Sequence, residues 1–225
     1  MIVLMRLYPK NTAEPIWEFM QTKMLSREVR KVQPILVSLQ ERAKWVTLYL
    51  MSDDIEAVGD FIVKDLGECK DIDYTMTIPL LKMVFLPIPK NMPEGAKRYS
   101  IMLSCELSGY HSTFRNVTDL HPDPGMNVTF SAFVLGKYDI LLSMVAETRE
   151  MVDAFVEKKL KAIEGVKEVE VFPIEKSWIV AGEEDWRRLQ RALLYIPSWM
   201  THMGDDTEFA FYLTEEDVSI SGMIR

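Results

Sequence analysis

The chain contains two copies of one pattern, 94 residues apart. Residues 52–81 and residues 146–175 share an apolar framework when one is shifted onto the other by 155 − 61 = 94 positions. The matched pairs are Val58 with Val152, Phe61 with Phe155, Ile62 with Val156, Leu66 with Leu160, Ile72 with Val166 and Pro79 with Pro173. Each stretch reads as an amphipathic helix, a short turn and a strand that ends at a proline. A repeat of this length indicates one small domain that has been duplicated, and the two copies can pair within one chain.

The apolar periodicity around these stretches predicts the order strand, helix, strand, strand, helix, strand in each copy. In the first copy the predicted strands are 2–8, 29–39, 45–51 and 74–81, and the helices follow Asn11 or Thr12 and Asp53 or Asp54. In the second copy the predicted strands are 99–107, 128–136, 140–146 and 166–174, with a helix over 148–165 and Gly165 as its C-cap. The first helix of the second copy is predicted to be shortened or replaced by a loop, because residues 109–127 hold two prolines and two glycines.

This order is that of the ferredoxin-like split βαβ motif, so we predict an α+β fold with two βαββαβ repeats. The predicted domains are 1–90 and 91–180, followed by an extension over 181–225 with a helix that runs from 182 as far as Pro197 and short strands at 209–213 and 218–224. Residues 82–98 are the predicted linker, because they hold three prolines and a glycine.

Composition narrows the classes of function. Hydrophobic residues make up 48% of the 225 positions, which is enough for a sizeable core, and the net charge of −8 argues against a nucleic-acid-binding surface. No apolar run reaches the roughly 20 residues that span a bilayer, and the apolar start is too short for a signal peptide. We therefore expect a cytoplasmic protein with no membrane partner, whose two cysteines, Cys69 and Cys105, are reduced.

The second copy resembles the effector-binding domain of the Lrp/AsnC transcriptional regulators, also called the RAM domain. The resemblance rests on FVLGKYDILLSM (133–144), a following helix and EGVKEVEVFPI (164–174). It implies that the two repeats form an intramolecular version of the dimeric α+β barrel of that family. It also implies that an effector such as an amino acid binds near the turn, at Gly136, Lys137, Tyr138 and Asp139.

The first copy departs from the family pattern, because its turn at 43–46 reads AKWV and lacks both the glycine and the aspartate. It carries Thr75 and Thr77 where family members often have T-x-T, whereas the second copy has valines there. This division suggests a composite site, with Tyr138 and Asp139 from one copy and Thr75 and Thr77 from the other. The alternative is drift, since threonine suits strands and an aspartate in a turn commonly bonds its own backbone.

The resemblance favours a non-catalytic function over an enzyme. The expected protein is a stand-alone small-molecule effector-binding protein that forms homo-oligomers or acts through a partner protein that binds DNA. Relatives carry a helix-turn-helix ahead of this domain, whereas this chain begins with a strand, so we expect no direct contact with nucleic acid. We expect no cofactor and no metal, because the sequence lacks histidine pairs at ligand spacing and glycine-rich phosphate loops.

Two other functions stay open at this stage. Dimeric α+β barrels also include small enzymes, monooxygenase-like or haem-handling, in which a cavity between sheet and helices would be the active site. The candidate residues for that cavity are Tyr110, His111 and His121. The third possibility is a structural interaction module, which would have no pocket.

Overall fold

The computed structural model describes residues 1–25, 31–52, 54–85, 88–89, 95–180 and 207–208. These residues fall into two compact units, the first formed by Met1–Leu80 with residues 174–180 and the second by Leu81–Pro173 with residues 207–208. Each unit contains the βαββαβ order, so the predicted α+β fold with two ferredoxin-like repeats is confirmed. The C-terminal helix and strands predicted at 182–197, 209–213 and 218–224 lie outside the described residues.

The elements follow the chain from one repeat into the next. The first repeat consists of β1 (Ile2–Pro9), α1 (Glu14–Leu25), β2 (Val32–Gln40), β3 (Val46–Ser52), α2 (Ile55–Lys64) and β4 (Ile72–Phe85). Next come β5 (Ile88–Pro89), β6 (Lys97–Cys105), α3 (Tyr110–Thr118), β7 (Met126–Val134), β8 (Ile140–Ala146), α4 (Arg149–Phe155), β9 (Val166–Ile179) and β10 (Thr207–Glu208). α2 begins where the sequence predicts, because the Asp54 carboxylate accepts a hydrogen bond of 2.9 Å from the backbone N–H of Glu56.

The sheet of the first unit is antiparallel, with β1 between β3 and β4, β2 beside β3, and residues 174–179 of β9 beside β2. Successive side chains of a strand point to opposite faces. One face packs against α1 and α2 and forms an apolar core, which includes Met5, Leu7, Leu48, Phe61 and Trp178. The other face carries Arg6 and Tyr8 of β1, Thr47 and Tyr49 of β3, and Trp45, which immediately precedes β3.

The second unit repeats this plan with β6 between β8 and residues 166–173 of β9, and with β7 beside β8. Its helix-facing core is likewise apolar and includes Ile101, Leu103, Phe114, Leu142 and Phe155. Thr148 caps α4 by accepting a hydrogen bond of 3.3 Å from the backbone N–H of Met151. Both cores agree with the periodicity from which the repeats were predicted.

One helix is shortened, as predicted, and another ends earlier than predicted. α3 has nine residues, and the prolines at 122 and 124 follow its last turn. The predicted helix 148–165 ends early, since α4 continues into one π-helical turn over Val156–Leu160 and then leaves the helical path. Gly165 is therefore not a C-cap but lies in the turn before β9, with φ of +89°.

The predicted linker at 82–98 is too long at both ends. β4 continues to Phe85, and β6 already begins at Lys97. β9 also extends beyond its predicted end at residue 174, reaching Ile179. Proline has no backbone N–H, but a strand tolerates it at a position where no N–H is needed to bond the neighbouring strand. Pro173 therefore does not end the strand. Pro89 likewise lies in a short strand and pairs with Thr207.

Candidate functional site

The predicted effector turn forms an ordered connection between β7 and β8. The backbone N–H of Asp139 donates to the carbonyl of Leu103 at 2.8 Å, and that of Val134 donates to the carbonyl of Asp139 at 2.9 Å. Gly136 has φ of +139°, a conformation that favours glycine. The turn is thus joined by hydrogen bonds both to its own hairpin and to β6.

Asp139 holds the end of β6. Its carboxylate accepts a hydrogen bond of 2.7 Å from the backbone N–H of Cys105, and its backbone carbonyl accepts one of 2.7 Å from the Tyr110 hydroxyl. Burial, together with the negative charge of Asp139, raises the pKa of the Cys105 thiol to about 11. The same two causes raise the pKa of the Tyr110 phenol. One carboxylate oxygen of Asp139, which was predicted to bind the effector, therefore already accepts a hydrogen bond from the backbone of β6.

Lys137 and Tyr138 form a small polar cluster with β9. The ammonium of Lys137 donates to Glu170 Oε1 at 2.5 Å and to the Tyr138 hydroxyl at 3.0 Å, and these hydrogen bonds raise the pKa of Lys137. The Tyr138 ring is buried and meets Phe172 edge to face at 6.4 Å. The turn thus presents an ordered, charged edge with a buried phenol beneath it.

Thr75 and Thr77 lie on β4 in the first unit. They stand opposite Leu7 and Met5 of β1, two members of the apolar core, and therefore point to the helix-facing side of that sheet. Both are partly exposed. Because they belong to the first unit and the turn belongs to the second, the composite site stays a prediction.

Of the three residues proposed for an enzyme cavity, His111 and His121 are exposed at the surface of the second unit, and Tyr110 is partly buried. Tyr110 stacks on Phe133 at 4.5 Å, and the exposed ring of His111 meets Phe133 edge-on at 5.7 Å. The ammonium of Lys82 lies 3.1 Å from Nε2 of His111, and His121 is also exposed. The helix-facing side of this sheet is filled by apolar side chains, so these residues do not form a buried acid–base group.

A cluster in the first unit was not predicted from the sequence. It consists of Arg6, Tyr8, Trp45, Thr47, Tyr49 and Tyr74, and we call it the aromatic cluster. Its members occupy alternate positions on β1, on β3 with the residue just before it, and at the start of β4, on the face opposite α1 and α2. Arg6 stands opposite Thr47 on one neighbouring strand, and Tyr8 stands opposite Tyr74 on the other.

Ring contacts join the members of the aromatic cluster. The guanidinium carbon of Arg6 lies 4.8 Å from the centroid of the Trp45 ring. The ring of Tyr8 is 5.7 Å from that of Trp45, and it stacks on Tyr74 at 4.4 Å with an interplanar angle of 11°. The indole N–H of Trp45 donates to the Thr47 hydroxyl at 3.2 Å. Arg6, Tyr8, Trp45 and Tyr74 are therefore each in contact with another member of the cluster.

Exposure along the aromatic cluster is graded. Arg6 is 5% exposed and Trp45 8%, Tyr8 is partly buried, and Tyr74 is 53% exposed. The cluster therefore runs from a buried cation to an aromatic ring at the surface. An aromatic ring that is stacked on one face and open to solvent near the other is a ready platform for a planar molecule.

Electrostatics give Tyr49 and Arg6 distinct chemical roles. Burial raises the pKa of the Tyr49 phenol, and the positive charge of Arg6 opposes this only in part. Tyr49 therefore stays protonated at neutral pH, and its hydroxyl can donate a hydrogen bond. Arg6 adds a positively charged guanidinium. Together they supply a hydrogen-bond donor and a positive charge to the same side of the sheet.

The sequence contains only a weak signal for this cluster. The alternation of Arg6 with Tyr8, and of Trp45 with Thr47 and Tyr49, is visible along each strand. Trp45, however, is noticeable in the sequence only because its turn lacks the glycine of the family pattern. Strand pairing, which brings residues 6, 45 and 74 together, was needed to reveal the site.

A shallow cavity of about 170 Å³ lies against α2 in the same unit, on the helix-facing side of the sheet and so on the face opposite the aromatic cluster. Val32, Ala57 and Phe61 line its floor, and charged residues form its rim. Two of these, Lys64 and Asp60, are exposed and paired with each other at 2.9 Å. Exposed pairs of this kind contribute little to binding or stability, so this cavity is the weaker candidate.

Metal and membrane features are lacking in the part of the chain that the structure describes. Among those residues, no three side chains of histidine, cysteine, aspartate or glutamate come together as metal ligands. None of the helices described has the length and apolarity needed to cross a bilayer.

The comparisons with known proteins identify a class of fold. No protein-family model matches the chain, and no curated protein matches it. Among solved structures it is similar to an anthrone oxidase-like protein, with a TM-score of 0.53 and 8% identity over 81% of this chain and 94% of that one. This likeness shows the fold alone and agrees with the predicted dimeric α+β barrel class.

Two further solved structures are similar to the chain at lower scores. One is a monooxygenase-like protein from Listeria innocua, with a TM-score of 0.40 and 8% identity over 78% of this chain and 95% of that one. The other is a major regulator of staphylococcal pathogenesis, with a TM-score of 0.40 and 6% identity over 77% of this chain and 98% of that one. The specific resemblance to Lrp/AsnC regulators stays a prediction.

Proposed function

We propose that the protein is a small monooxygenase-like enzyme of the dimeric α+β barrel class that binds a planar aromatic substrate at the aromatic cluster. The observation that carries this proposal is the graded stack from exposed Tyr74 through Tyr8 to buried Trp45 and Arg6. A planar ligand would lie along this row of side chains, with one end on Tyr74 and the other toward Arg6.

The residues of the cluster suit the oxidation of an acidic methylene group flanked by aromatic rings. In that reaction two C–H bonds break and one C=O bond forms. One atom of O₂ enters the product, and the other leaves as water with the two hydrogens. The substrate supplies all the electrons, so no separate reductant is required.

Each polar group then has a defined task. The positive charge of Arg6 would favour the enolate that forms when the substrate loses its first proton, because a nearby cation lowers the pKa of an acid. The protonated Tyr49 phenol would donate a hydrogen bond to the enolate oxygen, as donors in oxyanion sites do. Trp45 and Tyr8 would exclude water from one face of the substrate. The haem-handling form of this class is less well supported, because His111 and His121 are exposed.

Oxygen uptake with anthrone as the substrate tests the proposal. We expect the protein to accelerate anthraquinone formation by about 100-fold or more over the protein-free reaction. Tyr49→Phe should lower that rate while leaving the fold unchanged. The matched control is Tyr138→Phe, a buried tyrosine of the second unit, which should retain the wild-type rate. A protein that binds anthrone but gives the protein-free rate would contradict an oxidase.

A second candidate function is the effector-binding one, favoured by the buried Tyr138 whose hydroxyl is held by Lys137. In this case an amino acid would bind at Gly136–Asp139, with Thr75 and Thr77 completing the site, and the protein would act through oligomers or a DNA-binding partner. A thermal-shift screen against the twenty amino acids tests it, since a ligand of the folded state raises the melting temperature. A hit that disappears in both Lys137→Ala and Thr75→Val would support the composite site, whereas a blank screen would remove the effector function.

A further inference from the structure

The two repeats can be compared position by position through their strand registers. β3 and β8 are each seven residues long and begin 94 positions apart, at Val46 and Ile140. Val46 pairs with Leu7 of β1, and Ile140 pairs with Leu103 of β6. Leu7 and Leu103 are therefore equivalent, and so are the residues on either side of them.

At these equivalent positions the second repeat lacks the aromatic cluster. The cross-strand pair Arg6 and Thr47 corresponds to Met102 and Leu141, the pair Tyr8 and Tyr74 corresponds to Ser104 and Glu168, and Trp45 and Tyr49 correspond to Asp139 and Ser143. None of the five cluster positions that hold an aromatic ring or a cation in the first repeat does so in the second.

The replacements have roles of their own in the second unit. Met102 and Leu141 are fully buried apolar side chains, so they offer neither a charge nor a hydrogen bond. Asp139, in the place of Trp45, uses its carboxylate to hold the backbone N–H of Cys105. Glu168 puts a negative charge where Tyr74 puts an exposed ring. A planar apolar ligand bound here would remove water from these carboxylates, which costs free energy, and it would find no aromatic ring on which to stack.

We infer that each chain binds one planar ligand, at its first repeat, and that the second repeat has become a scaffold at the matching positions. The inference rests on the proposed function of the aromatic cluster. A symmetric pair of identical domains necessarily carries two equal sites. Duplication within one chain removes that constraint, because each copy can then change independently.

Isothermal titration with anthraquinone-2-sulfonate, a soluble planar probe, tests the stoichiometry. We expect one site per chain, with binding weakened about tenfold or more by Tyr74→Ala, because the stacking platform is lost. Glu168→Ala is the matched control at the equivalent exposed position of the second repeat, and it should bind like the wild type. The melting temperature of both variants shows that the fold is retained.

The outcomes separate this inference from the proposed function. Two sites per chain, or equal weakening by Tyr74→Ala and Glu168→Ala, would overturn the single-site inference while leaving an aromatic-binding protein. Absence of any heat or fluorescence change with wild-type protein would overturn the proposed function and the inference with it. One site that persists unchanged in Tyr74→Ala and Trp45→Phe would also overturn the inference, because the site would then lie elsewhere.

Discussion

The guanidinium group of Arg6 lies over the ring of Trp45, 4.8 Å from its centroid, and both side chains are at least nine-tenths buried. Arg6 is on β1 and Trp45 immediately precedes β3, so the contact joins neighbouring strands on the face opposite the helices. A cation held over an aromatic face away from water is attracted more strongly than one at the surface. This contact fixes the inner end of the aromatic cluster.

Arg6→Lys should lower the free energy of unfolding by about 1–2 kcal/mol, because a compact ammonium cannot stack flat on the indole and is harder to bury. Urea denaturation followed by circular dichroism measures the change. Arg42→Lys, at an exposed position of the β2–β3 turn, is the matched control and should stay within about 0.5 kcal/mol of the wild type. Equal stabilities for the two variants would show that the stacking contributes nothing.

Asp139→Ala should destabilise the protein by about 1–3 kcal/mol, because the backbone N–H of Cys105 would lose its acceptor. Asp139→Asn retains a carbonyl oxygen at the same place, so its free energy of unfolding should fall clearly less than that of Asp139→Ala. The comparison in urea denaturation separates the structural role of the carboxylate from its charge. If both variants unfolded like the wild type, the hydrogen bond to Cys105 would have no energetic importance.

Stability should decline between pH 9 and 11 in a way that depends on Cys105. Its pKa is raised to about 11 in the folded protein, above its ordinary value near 9, so the unfolded chain loses this proton first. The unfolded state then binds fewer protons, and the free energy of unfolding falls by up to about 1.4 kcal/mol for each pH unit in this window. The contribution is fully present below pH 9 and is lost as the pH approaches 11.

Chemical denaturation at several pH values measures this slope. Cys105→Ala should flatten the decline relative to the wild type, whereas Cys69→Ala, which removes the other buried thiol, should leave it as it is. Tyrosines and lysines also titrate near pH 10, so the difference between each variant and the wild type is the relevant quantity. A decline of the same steepness in both variants would contradict the shifted thiol.

Gly165→Ala should be strongly destabilising, by about 2–4 kcal/mol. Gly165 has φ of +89°, and a Cβ there would lie 2.5 Å from Oγ1 of buried Thr113, which donates to the carbonyl of Glu164. Gly136→Ala is the control, because Gly136 also has positive φ but has no atom within 4 Å of the added carbon. Gly136→Ala should be destabilised only by the cost of holding alanine at positive φ, about 1–2 kcal/mol. Thermal denaturation measures both variants.

The duplication and the element order could be predicted because they depend on local patterns. Helical spacing of Val152, Phe155, Val156 and Leu160 reflects which side of one helix is buried, and this needs no knowledge of distant residues. Predictions failed where the local pattern is ambiguous. The helix 148–165 ends early and strand β4 runs on to Phe85, because periodicity marks which face is buried more reliably than where an element stops.

The sequence by itself determined that this protein is an α+β chain of two ferredoxin-like repeats, since apolar periodicity follows from burial along each element. Tertiary structure alone decided which side chains meet. Arg6, Trp45 and Tyr74 span 74 − 6 = 68 positions and come together only through the pairing of β1 with β3 and β4. It also decided that the Asp139 carboxylate binds the backbone of Cys105, 34 positions away. Such contacts depend on strand register, which a pattern along one segment does not specify.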